Sequence, residues 1–276
     1  MKCSFCDKSD FKNIIFKYSI SQNKNIKYYK CSNCHSLHQY PMPEDKIIKK
    51  YYEKYIETKK ILNPGYLKKE NIPLLFSERD MTFSDIGFKK DWLKKAVNVE
   101  LGCANGHFLY YLKKNGAKNI IGIDISKKLL TSINIKDVKL IIGDLSKLRT
   151  KSIDNLFMFN VLEHIADTKL LMNQVISRLK KTGKILIEVP LTGIISTTFS
   201  NKWRFLMPDE HLHIPSLKGL KILLKKYGLK IIGSKRFGSG YTTGMIPFFL
   251  KYIFDKFAKT FCYGDRGAFL VVYDNN

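Results

Sequence analysis

The sequence predicts an α/β fold: an open, mostly parallel sheet that holds a nucleotide-type ligand at its strand ends, preceded by a small metal-stapled module. Three observations carry this. Val97 to Phe108 reads Val-Asn-Val-Glu-Leu-Gly-Cys-Ala-Asn-Gly-His-Phe, an apolar strand entering a Glu-x-Gly-x-x-x-Gly turn and then an amphipathic segment. Three further apolar runs follow, each ending in a polar residue. Two Cys-x-x-Cys pairs stand at the extreme N-terminus.

The glycine turn comes first. Gly102 and Gly106 let the backbone bend sharply and approach a ligand closely, and Glu100 sits where a cationic group could be held. The next run, Asn119 to Asp124, ends in an acid, as expected where a carboxylate takes both hydroxyls of a ribose. Val138 to Asp144 ends in Gly-Asp, and Asp154 to Asn160 leads into Val161-Leu-Glu-His164. Singly, each polar residue suits a helix cap or a turn. Jointly, Glu100, Asp124, Asp144 and Asn160 are expected to converge on one crevice outside the carboxyl ends of the strands.

Helices are expected near 106–115, 126–134, 167–181 and 216–227. Final strands at 229–237 and 267–273 are expected to pair as an antiparallel edge. Between them Met245 to Phe261 is an aromatic-rich amphipathic insert. It is read as a helix packed on the core, with a lid, a dimer contact or a membrane-surface helix as alternatives.

Cys3, Cys6, Cys31 and Cys34 have the spacing that places four thiolates around a structural zinc. Four protein ligands leave no open coordination position, so such a zinc holds up the fold and polarises no substrate. Cys103 and Cys262 stand alone, and His35 and His38 are read as surface residues, with substitution as zinc ligands the alternative. No signal peptide and no membrane-length apolar run is found, so a reducing, cytoplasmic setting is expected, which disfavours disulfides. The organisation expected is a zinc ribbon over 1–40, a Lys/Tyr-rich helical connector over 41–80 and the α/β unit over 81–276.

The chain has 276 residues and a formal net charge of +24. That charge attracts anions of every kind: nucleotide sugars, acidic glycans, lipid headgroups and RNA. Of the 48 basic residues only six are arginine, the residue favoured for bidentate phosphate and base contacts, so charge alone does not select nucleic acid.

Taken together, the Glu-Leu-Gly-Cys-Ala-Asn-Gly loop, Gly-Ile-Asp124-Ile-Ser, Gly-Asp144-Leu, Asn160-Val-Leu-Glu-His164-Ile and the turn and strand from Leu179 to Pro190 resemble a class I S-adenosylmethionine-dependent methyltransferase. The resemblance implies a Rossmann-like seven-stranded sheet, mostly parallel with an antiparallel final strand. It further implies that Gly102 and Gly106, with Cys103 and Ala104 between them, pass the methionine part of the cofactor. Asp124 with Ile125 would hold the ribose, Asp144 with Leu145 would border the adenine, and Glu100 would order the loop and the ammonium; Asn160 completes the set. Ala104 departs from the usual glycine.

The N-terminal cysteines, the Pro-Met-Pro that follows, Lys49, Tyr51, Tyr52, Tyr55 and the run from Asp209 through Glu210, His211, Leu212 and His213 resemble a group of bacterial methyltransferases with a zinc-ribbon head. That group is often tied to glycan, sugar-nucleotide or natural-product biosynthesis. The resemblance implies a small, sugar-linked or biosynthetic acceptor. The alternatives are a ring-nitrogen rRNA methyltransferase, since a four-cysteine module before this core also resembles that class, and a non-enzymatic scaffold.

Methyl transfer asks mainly for in-line alignment and exclusion of water. A hydroxyl or carbon acid also needs a base. His211 or His213 is expected to be that base, only one of them facing the site because they lie two apart in an extended segment. His164 is the further candidate. Asn160-Val-Leu-Glu differs from the Asn/Asp-Pro-Pro-aromatic turn of exocyclic-amine methyltransferases, and Val189-Pro190-Leu191 lacks the cysteine expected for attack on cytosine.

Overall fold

The structure is a computed structural model that describes residues 1–19, 22, 24–44, 46–48, 51, 72–208, 210–242 and 244–274. Lys49, Tyr52, Tyr55, Asp209 and most of the 41–80 connector lie outside the described residues.

In chain order the main elements are β1 (Phe11–Ser19), β2 (Lys24–Cys31), β3 (Leu37–Tyr40), α1 (Ile72–Ile86), β4 (Val97–Leu101), α2 (His107–Lys114), β5 (Asn119–Asp124), α3 (Lys127–Thr131) and β6 (Val138–Ile142). There follow β7 (Ile153–Phe159), α4 (Thr168–Arg178), β8 (Leu179–Pro190), α5 (Ile194–Phe199), β9 (His213–Ile214), α6 (Leu217–Lys226), β10 (Leu229–Phe237), α7 (Phe248–Thr260) and β11 (Arg266–Tyr273).

The large sheet runs β10-β11-β8-β7-β4-β5-β6. Its β8, β7, β4, β5 and β6 are parallel, while β10 and β11 are antiparallel, as the sequence led us to expect. The chain starts this sheet at β4 and lays β5 on one side and β7 on the other, so the crevice of the topological switch lies at the carboxyl end of β4.

Both faces of the sheet are covered. One packs on α4 and α6 through Leu171, Val175, Leu220 and Leu223, the other on α1 and α2 through Phe83, Ile86, Leu109 and Leu112. α2 and α6 follow from amphipathic patterning with lysines in the last turn, where they suit the negative end of the helix dipole. Asp167 and Ser216 cap α4 and α6 by accepting from Leu170 N and Gly219 N. α3 is shorter than the expected 126–134: Thr131 and Ser132 turn their hydroxyls onto the carbonyls of Lys128 and Leu129, competing with the helical bonds. α4 stops before 181 because Leu179 is buried, extended and paired with Ile153.

The small sheet has the order β1-β2-β3-β9, so its fourth strand comes from the far end of the chain. Cys3, Phe5, Cys31 and Cys34 pack in one hydrophobic cluster with Val99, Leu156 and Leu220, and a second cluster beneath the sheet joins Ile26, Tyr28 and Leu37 to Trp203, Leu206 and Ile214. The N-terminal segment therefore shares its core with the large sheet. The boundary read at residue 80 falls inside α1.

Two expectations are corrected. His38 is buried and not on the surface, with Nε2 3.2 Å from Cys3 Sγ. The 245–261 insert does not pack an aromatic face on the core. α7 turns its polar side inward: Asp255 accepts from Ser239 N and Oγ at 2.8 and 2.6 Å, and Lys259 pairs with Asp85 at 2.6 Å. Phe248, Phe249, Tyr252, Ile253 and Phe257 point to solvent. The helix is amphipathic, as its sequence predicts, but patterning cannot say which face is turned inward once polar partners are available.

Trp203 joins the two parts of the molecule: it is fully buried and donates from Nε1 to Asp265 Oδ2 at 3.0 Å. Trp203→Ala is expected to cost about 3–5 kcal/mol, read as a lower urea midpoint at unchanged slope. An unchanged midpoint would take Trp203 out of the shared core.

Candidate active site

The loop after β4 alternates left-handed residues: Gly102 at φ +73°, Ala104 at +47° and Gly106 at +78°. Gly102 N and Cys103 N both donate to Ile123 O, at 2.8 and 3.1 Å, which ties the loop to β5. A Cβ on Gly102 would stand 2.7 Å from Val161 Cγ2, so only glycine lets this loop and the one after β7 lie against each other. Ala104 holds its left-handed geometry with its N–H on Asp124 Oδ2 at 2.9 Å. This is the compensation for the missing glycine.

A cleft of about 420 Å³ opens beside the loop, lined by Glu100, Gly102, Cys103, Ala104, His107, Phe159 and Asn160, and closed on the far side by Leu74, Phe76 and Arg79 of α1. Glu100 is buried and its Oε2 has no hydrogen-bond partner. Burial holds its carboxyl well above the usual range, the charge of Arg79 opposing this and that of Asp124 adding to it. Such an oxygen calls for a donor from a ligand, and an ammonium is the donor that suits it best.

Asp124 lies at the end of β5, its carboxylate accepting from Ala104 N and Ser126 N, and burial raises its pKa. Asp144 caps a short turn by accepting from Ser146 N at 2.8 Å and takes a bond from Gln174 Nε2 at 3.2 Å. Leu145 is buried in the core, so it can offer a ligand its backbone but not its side chain. Ile125 is exposed. Cys103 points its sulfur into the sheet toward Gly122. The structure thus brings Glu100, Cys103, Ala104, Gly102 and Asn160 to the cleft wall, with Asp124 directly behind it and Asp144 further along the same edge.

Sequence reasoning missed Arg79. Its Nη1 lies 2.5 Å from Glu188 Oε2 and its guanidinium 4.2 Å over the Phe159 ring. Glu188, buried on β8, also pairs with Arg266. Burial would raise the Glu188 pKa, but the two guanidiniums outweigh it and hold the carboxyl at about 2. The one available signal was compositional: Arg79 is one of six arginines among 48 basic residues, and arginine is the cation kept for buried pairs.

The three candidate histidines separate. His164 and His211 stack edge to face with ring centroids 4.9 Å apart, next to Glu163, just past Asn160. Glu163 is buried, neither carboxylate oxygen has a hydrogen-bond partner, and burial pushes its pKa up to about 8. His213 does not join them. It faces the cysteine module, Nδ1 3.0 Å from His38 Nδ1 and Nε2 3.1 Å from Ala166 O, and burial lowers its pKa to about 4. The chain bends at Leu212, so His211 lies outside the strand, and the pairing of β9 with β3 sets His213 against the module.

The thiols of Cys3, Cys6, Cys31 and Cys34 all lie within 4.8 Å of one another, Cys3 and Cys34 at 3.4 Å and Cys6 and Cys31 at 3.5 Å. Four sulfurs about 2.3 Å from a tetrahedral zinc would stand roughly 3.8 Å apart. The chemistry and spacing of the set fit that ion.

With this geometry in place, comparison with known proteins decides the family: a model described as a methyltransferase domain matches residues 86–233, more than half of the chain. The chain belongs to that family. The methyltransferase is 24% identical over 173 residues to a tRNA U34 carboxymethyltransferase of Pseudoalteromonas translucida (strain TAC 125), covering 55% of this chain and 53% of that protein. It spans about half the length of the curated relatives it matches. Its fold is that of a SAM-dependent methyltransferase from Archaeoglobus fulgidus, with a TM-score of 0.53 at 17% identity, covering 79% of this chain and 98% of the other. The magnesium protoporphyrin IX methyltransferase of Synechocystis PCC 6803, solved with bound SAH, gives 0.55 at 16%, covering 83% of this chain and all of that one. The solved structures show the fold that this methyltransferase domain shares.

Gly102→Ala is expected to weaken S-adenosylhomocysteine binding about tenfold or more, from roughly 1–2 kcal/mol of left-handed strain plus the clash with Val161. Calorimetry on the variant, with its fold checked by circular dichroism, measures this. Unchanged affinity would place the ligand elsewhere.

Proposed function

We propose that this methyltransferase moves a methyl group from S-adenosylmethionine to an oxygen or acidic carbon of a small, sugar-linked or otherwise biosynthetic acceptor. The observation that carries the reading is the Glu163, His164 and His211 cluster beside the loop that bounds the cofactor cleft. It offers proton-accepting groups two to three residues past Val161, which lies against the Gly102 loop, and an oxygen or carbon acceptor needs such groups. His164 and His211 each place Nδ1 2.7 Å from a backbone carbonyl, of Glu210 and Phe205. A neutral ring held that way carries its proton on Nδ1 and its lone pair on Nε2.

On the cofactor side Glu100 takes the ammonium, Gly102 and Gly106 let the backbone approach, Asp124 takes the ribose and Asp144 borders the adenine. When bound, the cofactor supplies an electrophilic methyl group on its sulfonium. The walls from Leu74 to Arg79 and from Phe108 to Tyr111 exclude water around it, which favours in-line attack. Cys3, Cys6, Cys31 and Cys34 hold a structural zinc. The chain is organised as a zinc-ribbon module over 1–40, a connector over 41–80 and a methyltransferase domain over 81–276, with α1 bridging the last boundary, and it works in the cytoplasm.

A second reading, an RNA acceptor, is favoured by the tRNA-modifying relatives and the net charge of +24. Incubating the enzyme and labelled S-adenosylmethionine with host extract separates the two: label in small or glycan material supports the first reading, and RNase-sensitive label replaces it with the second. On the acceptor so found, His211→Ala is expected to lower turnover by about 10²–10⁴-fold while S-adenosylhomocysteine binding persists.

A further inference from the structure

We propose that Glu163, His164 and His211 form a divalent-cation site where the loop after β7 meets the segment before β9. One ligand atom from each lies within 4.8 Å of the others. Glu163 is completely buried with both oxygens lacking a hydrogen-bond partner, and a buried carboxylate without a donor is costly unless it is paired or holds a metal. Among the described residues Arg266 acts on Glu163 only through its field, and His164 Nε2 stands 3.9 Å from Glu163 Oε1. That is beyond hydrogen-bond reach.

Both imidazoles are arranged as metal ligands usually are: Nδ1 donates to a backbone carbonyl, which fixes ring orientation and leaves Nε2 as the lone-pair atom. The carbonyls belong to Glu210 and Phe205, and Glu163 O in turn accepts from Leu212 N at 2.8 Å, so one loop holds all three ligands in place. Two imidazoles and a carboxylate suit Mn²⁺, Fe²⁺, Co²⁺ or Zn²⁺, whereas the four thiols of the ribbon select zinc.

Three protein ligands leave coordination positions open. This rests on the acceptor reading above, with Nε2 of both histidines holding the ion in place of taking the proton: the open positions take an acceptor hydroxyl and lower its pKa. The O–H proton passes to solvent water, the oxygen forms its bond to the methyl carbon, and the carbon–sulfur bond breaks with its electron pair left on sulfur. The acceptor is then an alcohol, phenol or vicinal diol.

The test is titration of the full chain, zinc-loaded at the cysteines, with Mn²⁺ followed by the loss of its free electron-paramagnetic-resonance signal, with and without S-adenosylhomocysteine. One bound Mn²⁺ per chain is expected, weakened more than about tenfold in Glu163→Gln and in His211→Gln. S-adenosylhomocysteine binding by the same variants reports that they are folded and that the cofactor site stands. No bound Mn²⁺ in the wild type, or equal binding in both variants, overturns the site without touching the methyltransferase reading.

A different observation carries a second inference. The segment 238–265 leaves the large sheet where Phe237 pairs with Arg266 and Arg266 with Pro190, the edge at which the parallel strands end. From there α7 directs Phe248, Phe249, Tyr252, Ile253 and Phe257 outward, Phe248 being 79% exposed. We infer that this face lies on an anionic lipid surface. An apolar aromatic stripe on a chain of net charge +24 is complementary to anionic headgroups, whereas a second copy would bring like charge to the contact.

Co-sedimentation with vesicles of phosphatidylglycerol and phosphatidylcholine, against phosphatidylcholine alone, tests it. Binding to the anionic vesicles is expected, and a Phe248→Ser, Phe257→Ser double variant should lose more than about tenfold of it. Equal binding by the variant, absence of binding, or a wild-type dimer that the same substitutions dissolve would each overturn the inference.

Discussion

The loops that carry Glu163, His164 and His211 are held by a strand of two residues. β9 pairs Ile214 with Leu37 and His213 with His38, and by doing so completes a sheet whose other strands lie at the N-terminus. Around it the backbone is stitched in both directions: Gln39 N donates to Leu212 O, Leu212 N to Glu163 O, and Thr192 N to Pro215 O, each at 2.8–2.9 Å. Side chains follow the same seam, Thr192 Oγ1 to His35 O, Thr168 Oγ1 to Ser4 O and Ser216 Oγ to Cys34 O. The cysteine module is thus a strut for the loops after β7 and β8. A chain of contacts runs from Cys3 through His38 and His213 to Ala166, two residues beyond His164.

The second constraint is electrostatic. Glu188 lies inside the protein only because Arg79 and Arg266 meet it there, and these come from α1 and from the start of β11. A buried carboxylate bracketed by two guanidiniums fixes where both elements go, since losing either partner would leave charge uncompensated in the interior. Arg79 also covers Phe159, so the same group that anchors α1 shapes the cleft wall. Fold and site share this part of their chemistry.

Much of this was legible in the sequence, for reasons that differ by element. The parallel strands were readable because each is an apolar run with a turn signal at a fixed end, and the Gly102 loop because its glycines answer a steric demand visible without coordinates. The antiparallel last pair followed from the family pattern. What could not be read was long-range: that His213 would face Cys3's neighbour His38, that His38 would be buried, and that α1 would supply Arg79 to a carboxylate over 100 residues away. Spacing along the chain carries no information about such meetings. α7 shows the same limit, because its amphipathic pattern is real but the polar side found partners in Ser239 and Asp85.

The late arrival of β9 has a cost in time. β3 ends at Tyr40 and its outer neighbour begins at His213, so on a ribosome working at about 5–20 residues per second, β3 stands with unpaired N–H and C=O groups for on the order of ten to thirty seconds. An open strand edge held that long invites pairing with other nascent chains. The excess of lysine gives each emerging copy a charge that repels its neighbours, so the composition of the chain guards the edge until residue 213 closes it.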